Sequence, residues 1–125
     1  MAKVVGVGGV FIKTADVGAW KAWYQRVLGM TLEDFGGAIF PHPDIGHTLI
    51  APFPADADTD YFAPSPHSLM VNLIVDDLDG VLARAAQAGV TPLSSEDSEY
   101  GRFAALVDPA GVKLELWQPT PKEAP

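Results

Sequence analysis

The chain has 125 residues, 48% of them hydrophobic and 19% charged, enough apolar material for one domain with a core and too much for a disordered chain. Sixteen acids against eight bases give a net charge of −8, and Lys and Arg nowhere cluster, so a nucleic-acid partner is excluded. Zero cysteines exclude disulfides and thiol chemistry. No apolar run reaches the roughly 18–20 residues of a bilayer span, and the first residues lack a signal-peptide pattern, so no membrane partner and a cytoplasmic location are expected.

The first strand is expected over Gly8–Thr14, with Asp16 as the N-cap of a following helix. That helix carries Val17, Trp20, Trp23, Tyr24, Val27 and Leu28 at i, i+3, i+4 and i+7 spacing, which predicts a broad buried stripe. Gly29 is placed to end it. Short strands are expected at Met30–Phe35, Ala38–Pro41 and His47–Phe53, separated by the Gly36-Gly37 turn and the "HPDIG" loop. Residues 54–68 hold three prolines and read as a linker whose Tyr61 and Phe62 are pinned to the body of the protein.

The order then repeats. A strand at Leu69–Val75 leads to Asp77 as a cap, and a helix over Leu78–Ala88 buries Leu78, Val81, Leu82, Ala85 and Ala86 before Gly89 ends it. Three further strands are expected near Thr91–Ser94, Arg102–Val107 and Val112–Gln118, with Asp108-Pro109-Ala110-Gly111 as a type I turn. The tail after Pro119 is expected to fray. Val10 matches Val71, Ile12 matches Leu73 and Asp16 matches Asp77 at one fixed offset, so the chain is an internal duplication.

The expected fold is α+β: two tandem βαβββ modules, about 4–53 and 69–119, forming one cupped, mostly antiparallel sheet with helices on the outside. Strand alternation puts Gly9, Phe11 and Lys13 of the first strand on the open face. The fifth strand contributes Met70, Asn72 and Ile74, and the last contributes Lys113, Glu115 and Trp117. Phe53 and Tyr100 complete an apolar, aromatic cup, with Asn72, Arg102, Lys13 and Glu115 as its polar points. Acids cluster at Asp56, Asp58 and Asp60 and at Asp76, Asp77 and Asp79, as solubilising or capping groups or as a field that attracts cations. Trp20, Trp23 and Tyr24 suit a core or a dimer contact. The "GVGG" run precedes a strand instead of opening a helix, so it is not a dinucleotide loop.

The paired modules and the closing "DPAGVKLELWQP" resemble the glyoxalase/bleomycin-resistance/dioxygenase group, the vicinal oxygen chelate superfamily. The resemblance covers residues 4–119. It implies a homodimer and a small-molecule ligand, and it leaves the activity open, because the group holds isomerases, dioxygenases, metal-dependent transferases and metal-free drug binders. Its metal-dependent members hold a divalent ion through the first, fourth, fifth and eighth strands. Those seats fall here on Gly9, Ile50, Met70 and Glu115. Gly, Ile and Met offer a hard cation no oxygen or nitrogen. No cofactor is therefore expected, and a divalent metal is disfavoured.

A displaced metal site using His47, His67 and Glu115 is the variant of that theme; otherwise His42, His47 and His67 are loop or interface residues. Glu115 is the single candidate for a catalytic role, as a general base, or it is an anchor for an amine, or it pairs with Arg102 or Lys13. The leading reading is metal-independent binding of a small organic molecule, favourably a cationic one. The alternative is a metal-dependent or Glu115-based lyase, isomerase or dioxygenase with non-standard ligands.

Overall fold

A computed structural model describes residues 2–42, 45–56 and 60–121. Asp58 of the acidic run, Pro43 and Asp44 of the "HPDIG" loop and the last four residues lie outside these.

In chain order the elements are β1 (Val4–Thr14), α1 (Val17–Leu28), β2 (Ala38–Pro41), β3 (His47–Pro54), β4 (Leu69–Val75), α2 (Leu78–Gln87), β5 (Ser94–Ser98), β6 (Gly101–Val107) and β7 (Lys113–Pro119). The strands form one sheet in the order β2-β3-β1-β4-β7-β6-β5. β1 and β3 are parallel, as are β4 and β7, and the remaining neighbours are antiparallel. The α+β architecture read from the repeat is therefore the one observed.

The duplication has a geometric counterpart. The halves join where β1 meets β4, and Val10 stands opposite its own repeat equivalent, Val71. Gly9 then faces Asn72 and Phe11 faces Met70, so the ladder is symmetric about that pair. Capping follows the template too: Asp16 accepts from Ala19 N at 2.9 Å and Asp77 from Gly80 N at 3.2 Å. Gly29 closes α1 in the left-handed conformation at φ 65°, which glycine adopts without steric penalty.

Two cores lie on opposite faces of the sheet. Leu78 of α2 packs with Val75, Ala104 and Leu116 on the helix side. Phe11, Ala51, Phe62 and Met70 form the other cluster on the open side. Phe62 is thus pinned down as expected, 1% exposed with its ring 5.3 Å from that of Phe53.

Three expectations are corrected. Met30–Phe35 is not a strand. Glu33 N donates to Gly37 O and Gly36 N to Glu33 O, so these residues close a tight turn and leave too few for a ladder. The strand expected at Thr91–Ser94 lies at Ser94–Ser98, an exposed polar edge hairpinned onto β6 through Glu99 and Tyr100. An all-polar segment gives no apolar alternation from which to read it. The buried stripe of α1 is also absent: no α1 residue is fully buried, and Trp23, Val27 and Leu28 are 47%, 53% and 57% exposed. The helix rests on β3 alone among its larger contacts, so the stripe is wider than the surface beneath it. Trp20 and Trp23 instead pack on Tyr24, with ring centroids 4.0 and 5.2 Å away. On α2, Ala86 is exposed, against the burial expected from its spacing.

Candidate functional site

β7 alternates strictly. Leu114 and Leu116 turn to α2, which leaves Lys113, Glu115 and Trp117 on the open face. The parallel ladder sets Glu115 directly beside Asn72 of β4. Asn72 Nδ2 donates to Glu115 Oε1 at 2.7 Å, and the Tyr61 hydroxyl donates to Oε2. Each carboxylate oxygen thus holds one donor, and Glu115 is only 8% exposed. Charge-assisted bonds of this kind are what allow a carboxylate to stay in an apolar wall.

Asn72 is 4% exposed, and its Oδ1 has no hydrogen-bond partner. A buried acceptor left in this state costs about 1–3 kcal/mol. Gly8 makes the arrangement sterically feasible: a Cβ there would lie 2.0 Å from Asn72 Oδ1 and 3.1 Å from the Trp117 ring.

Tyr61 comes from the linker and is held from both halves of the sheet. Lys113 Nζ donates to Tyr61 O at 2.7 Å and stands 5.0 Å over its ring. Lys13 Nζ pairs with Asp60 at 3.1 Å and stands 5.0 Å over Phe62. The Lys13 ammonium, by that hydrogen bond, holds the Asp60 carboxyl below the usual carboxylate range. Desolvation, then the hydrogen bond to Glu115 and its charge, push the Tyr61 phenol well above its ordinary value.

Two hollows open over this cluster. The larger, about 410 Å³, has Gly8, Asn72 and Glu115 below and Trp117, Phe103 and Tyr100 along one side. Trp117 is fixed by three contacts: its Nε1 donates to Tyr100 O at 2.9 Å, Phe103 lies parallel at 6.1 Å, and His47 sits 4.9 Å away. The smaller, about 330 Å³, is walled by Phe53 and Tyr61, stacked at 5.9 Å. Phe11, Phe35, Leu49 and Glu115 border both hollows. Glu115 is the one Asp, Glu, Lys or Arg among the described residues lining them.

Of the residues expected in the cup, Phe11, Asn72, Tyr100, Glu115 and Trp117 line the larger hollow, and Phe53 lines the smaller. Ile74 is on the same face but fully buried; its Cδ1 lies against Gly46, so it closes the end of the cup instead of lining it. Lys13 is drawn aside by Asp60. Arg102 is on the wrong face: it shares the parity of Ala104, which packs on α2, and its guanidinium bonds Asp79 of α2 at 2.9 Å and Asp97 at 3.3 Å. Pairing of Glu115 with Arg102 or Lys13 is thereby corrected to pairing with Asn72 and Tyr61. Gly8, Phe35, Leu49, Phe103 and the Tyr61–Glu115 contact are additions that the sequence reading lacks. For Phe103 the signal exists, since it alternates with Ala104; for Tyr61, bonded 54 residues away, no local signal exists.

The seats that the resemblance assigns to a metal do not make a donor set. Register places Ala51, not Ile50, in the β3 position equivalent to Glu115, because Val10 pairs with Ile50 where Val71 pairs with Leu114. On β1 it is Gly8 that reaches the cup, past a bulge between Val7 and Gly9. Met70 is buried in the core. None of these offers a hard cation a side-chain oxygen or nitrogen, and both Glu115 oxygens already accept a hydrogen bond. The displaced set is not assembled either: His67 Nε2 is 3.0 Å from Ala110 O, away from both hollows. Among the described residues no three His, Cys, Asp or Glu side chains gather to hold an ion.

The family model for the Glyoxalase/Bleomycin resistance protein/Dioxygenase superfamily matches residues 6–116, and the chain belongs to that superfamily. Among solved structures, methylmalonyl-CoA epimerase from Mycobacterium tuberculosis is 24% identical, with a TM-score of 0.69 over 94% of this chain and 90% of that one. A single-substitution variant of Streptomyces coelicolor methylmalonyl-CoA epimerase, in complex with 2-nitronate-propionyl-CoA, is 18% identical, with a TM-score of 0.69 over 98% and 100%. A superfamily member from Vibrio splendidus 12B01 is 14% identical, with a TM-score of 0.60 over 94% and 99%. At these identities the likeness is one of fold. A search of curated proteins finds no match. Among the described residues no helix is long and apolar enough to cross a membrane.

Proposed function

We propose that this chain is a metal-independent binding protein of its superfamily, taking a small organic molecule into the cup and favouring a cationic one. One observation carries the reading. The cup is walled by aromatic side chains, and the nearly buried Glu115 is the one Asp, Glu, Lys or Arg among its described lining residues. An ammonium group there gains a Coulombic partner in a medium of reduced dielectric and aromatic faces on either side, whereas a carboxylate ligand meets like charge. Absence of donors at the positions equivalent to Glu115 supports independence from a metal.

The reading includes a homodimer. Trp23, Val27 and Leu28 form an apolar strip on α1 that a second copy would cover, and sedimentation of the full chain tests it.

The binding reading is tested by thermal shift of chelator-treated protein against matched aromatic ligands bearing an ammonium, a neutral hydroxymethyl or a carboxylate group. Cations should raise Tm in proportion to the logarithm of their concentration. Stabilisation by the carboxylates alone, or by no ligand without an added divalent ion, would overturn it.

A further inference from the structure

A second acid faces the cup from its rim. β5 pairs with β6 so that Glu96 stands directly opposite Phe103, and residues opposite one another in an antiparallel ladder share a face. Phe103 lines the larger hollow, so Glu96 projects from the same face one strand further out. The next position has the opposite phase: Asp97 stands across from Arg102, and both belong with Asp79 of α2. Electrostatics agree. Desolvation and Glu115 hold the Tyr61 phenol high, and the charge of Glu96 adds to them, so Glu96 acts on the point where Tyr61 meets Glu115.

The bases nearby are committed elsewhere. Lys13 pairs with Asp60, Lys113 Nζ donates to Tyr61 O, and Arg102 bonds Asp79 and Asp97. Among the described residues the exposed Glu96 carboxylate has no basic partner. Along β7 the open face runs Lys113, Glu115, Trp117, and from Trp117 it crosses Phe103 to Glu96. Lys113 thus marks one end of this path and Glu96 the other, so positive charge is favoured from Glu115 toward the rim. Two strand spacings and one two-residue step set the Glu115 and Glu96 Cα atoms about 11–12 Å apart on a flat sheet. Between them Phe103 and Trp117 lie parallel, 6.1 Å apart and 3° from coplanar orientation, a flat floor for a ring.

We infer that the cup takes an elongated dication, with one ammonium at Glu115, a second at Glu96 and an aromatic spacer across Trp117 and Phe103. This rests on the binding reading above and specifies the ligand class of that same site. The rim contact is solvent-exposed, so its gain is modest, and its main effect is to select ligands by the spacing of their charges.

The test is calorimetric titration of the full chain with 1,4-bis(ammoniomethyl)benzene, its 1,2-isomer and 4-methylbenzylammonium. The 1,4-isomer holds its nitrogens roughly 7–8 Å apart, and a contact of about 2.8 Å at each end spans carboxylates up to about 13 Å apart. The 1,2-isomer carries the same charge without the reach. At about 0.15 M salt, where long-range attraction is screened beyond about 8 Å, the 1,4-isomer should bind about threefold or more tighter than either other cation. Glu96→Gln should remove that advantage and change 4-methylbenzylammonium affinity by less than about 1.5-fold. Asp97→Asn deletes the same charge one residue away on the opposite face and should leave the advantage intact. Thermal melts establish that both variants fold. Equal affinities for the three cations in wild type would overturn the two-charge assignment while leaving the cup a cation binder. So would equal losses for all three in Glu96→Gln, or loss of the advantage in Asp97→Asn. Failure of all three to bind, with no stabilisation by the wider thermal-shift series, would sink both readings.

Discussion

Gly8→Ala adds one methyl group, and two opposing effects decide its sign. Gly8 is not in a positive-φ conformation, so alanine meets no backbone strain there. On that ground alone the substitution would stabilise by about 0.4–1 kcal/mol, by restricting the unfolded chain. The new Cβ, however, would stand 2.0 Å from Asn72 Oδ1, 3.0 Å from Asn72 Cγ and 3.1 Å from Trp117 Cε3. Asn72 is wedged between this glycine and Glu115 and has to swing away, which breaks its 2.7 Å bond to the carboxylate. Overpacking costs about 1–3 kcal/mol. Losing a bond to a buried charge costs about 1.5–3 kcal/mol. Both describe one displacement, so they overlap, and the net expectation is a loss of about 2–4 kcal/mol. Urea denaturation of wild type, Gly8→Ala, Asn72→Ala and the double variant measures it. With Asn72 already truncated the methyl group has room, so the double variant should be less destabilised than the sum by about 1 kcal/mol or more. A neutral or stabilising Gly8→Ala would refute the packing of Asn72 against β1.

Tyr61→Phe removes the hydroxyl bound to Glu115 and should destabilise by about 1–2 kcal/mol near neutral pH, seen as a fall in Tm. Tyr61's folded-state value lies above the ordinary 10.0, so its contribution is complete below about pH 10 and is lost as pH rises beyond it. One proton's full slope is about 1.4 kcal/mol per pH unit. Tyr61 is 41% exposed, so screening shrinks the shift and with it the pH range over which that slope acts. Melts of both proteins between about pH 9 and 11 should therefore converge with rising pH; parallel curves would contradict the pairing. Arg102→Ala should leave ligand affinity within about twofold of wild type by calorimetry, since Arg102 faces α2 and not the cup. A larger loss would return Arg102 to the binding surface.

Local rules make much of this fold legible. Asp16, Gly29 and Asp77 announce their caps because capping is a contact between near neighbours in sequence. Glu115, Trp117, Asn72 and Phe11 fall in the cup by alternation along strands whose apolar partners are unambiguous. Errors arise where parity or register is set from a distance. Arg102 and Ile50 are each one residue out of phase with the cup, because β6 takes its phase from the hairpin at Glu99 and Tyr100 and β3 from its parallel pairing with β1. The stripe on α1 has the right period for burial, but how much of it is covered depends on the sheet beneath, which the helix's own sequence does not encode. The Tyr61–Glu115 contact joins a proline-rich linker to the last strand, and only the closed cup brings them together.

Calorimetric titration of an aromatic ammonium into wild-type protein before and after exhaustive chelation, with Glu115→Gln beside it, tests most directly whether a buried carboxylate alone anchors the ligand. Affinity should be unchanged by chelation and at least about tenfold weaker in Glu115→Gln. Binding that disappears with the chelator and returns with a divalent ion, or that is indifferent to Glu115→Gln, would contradict it.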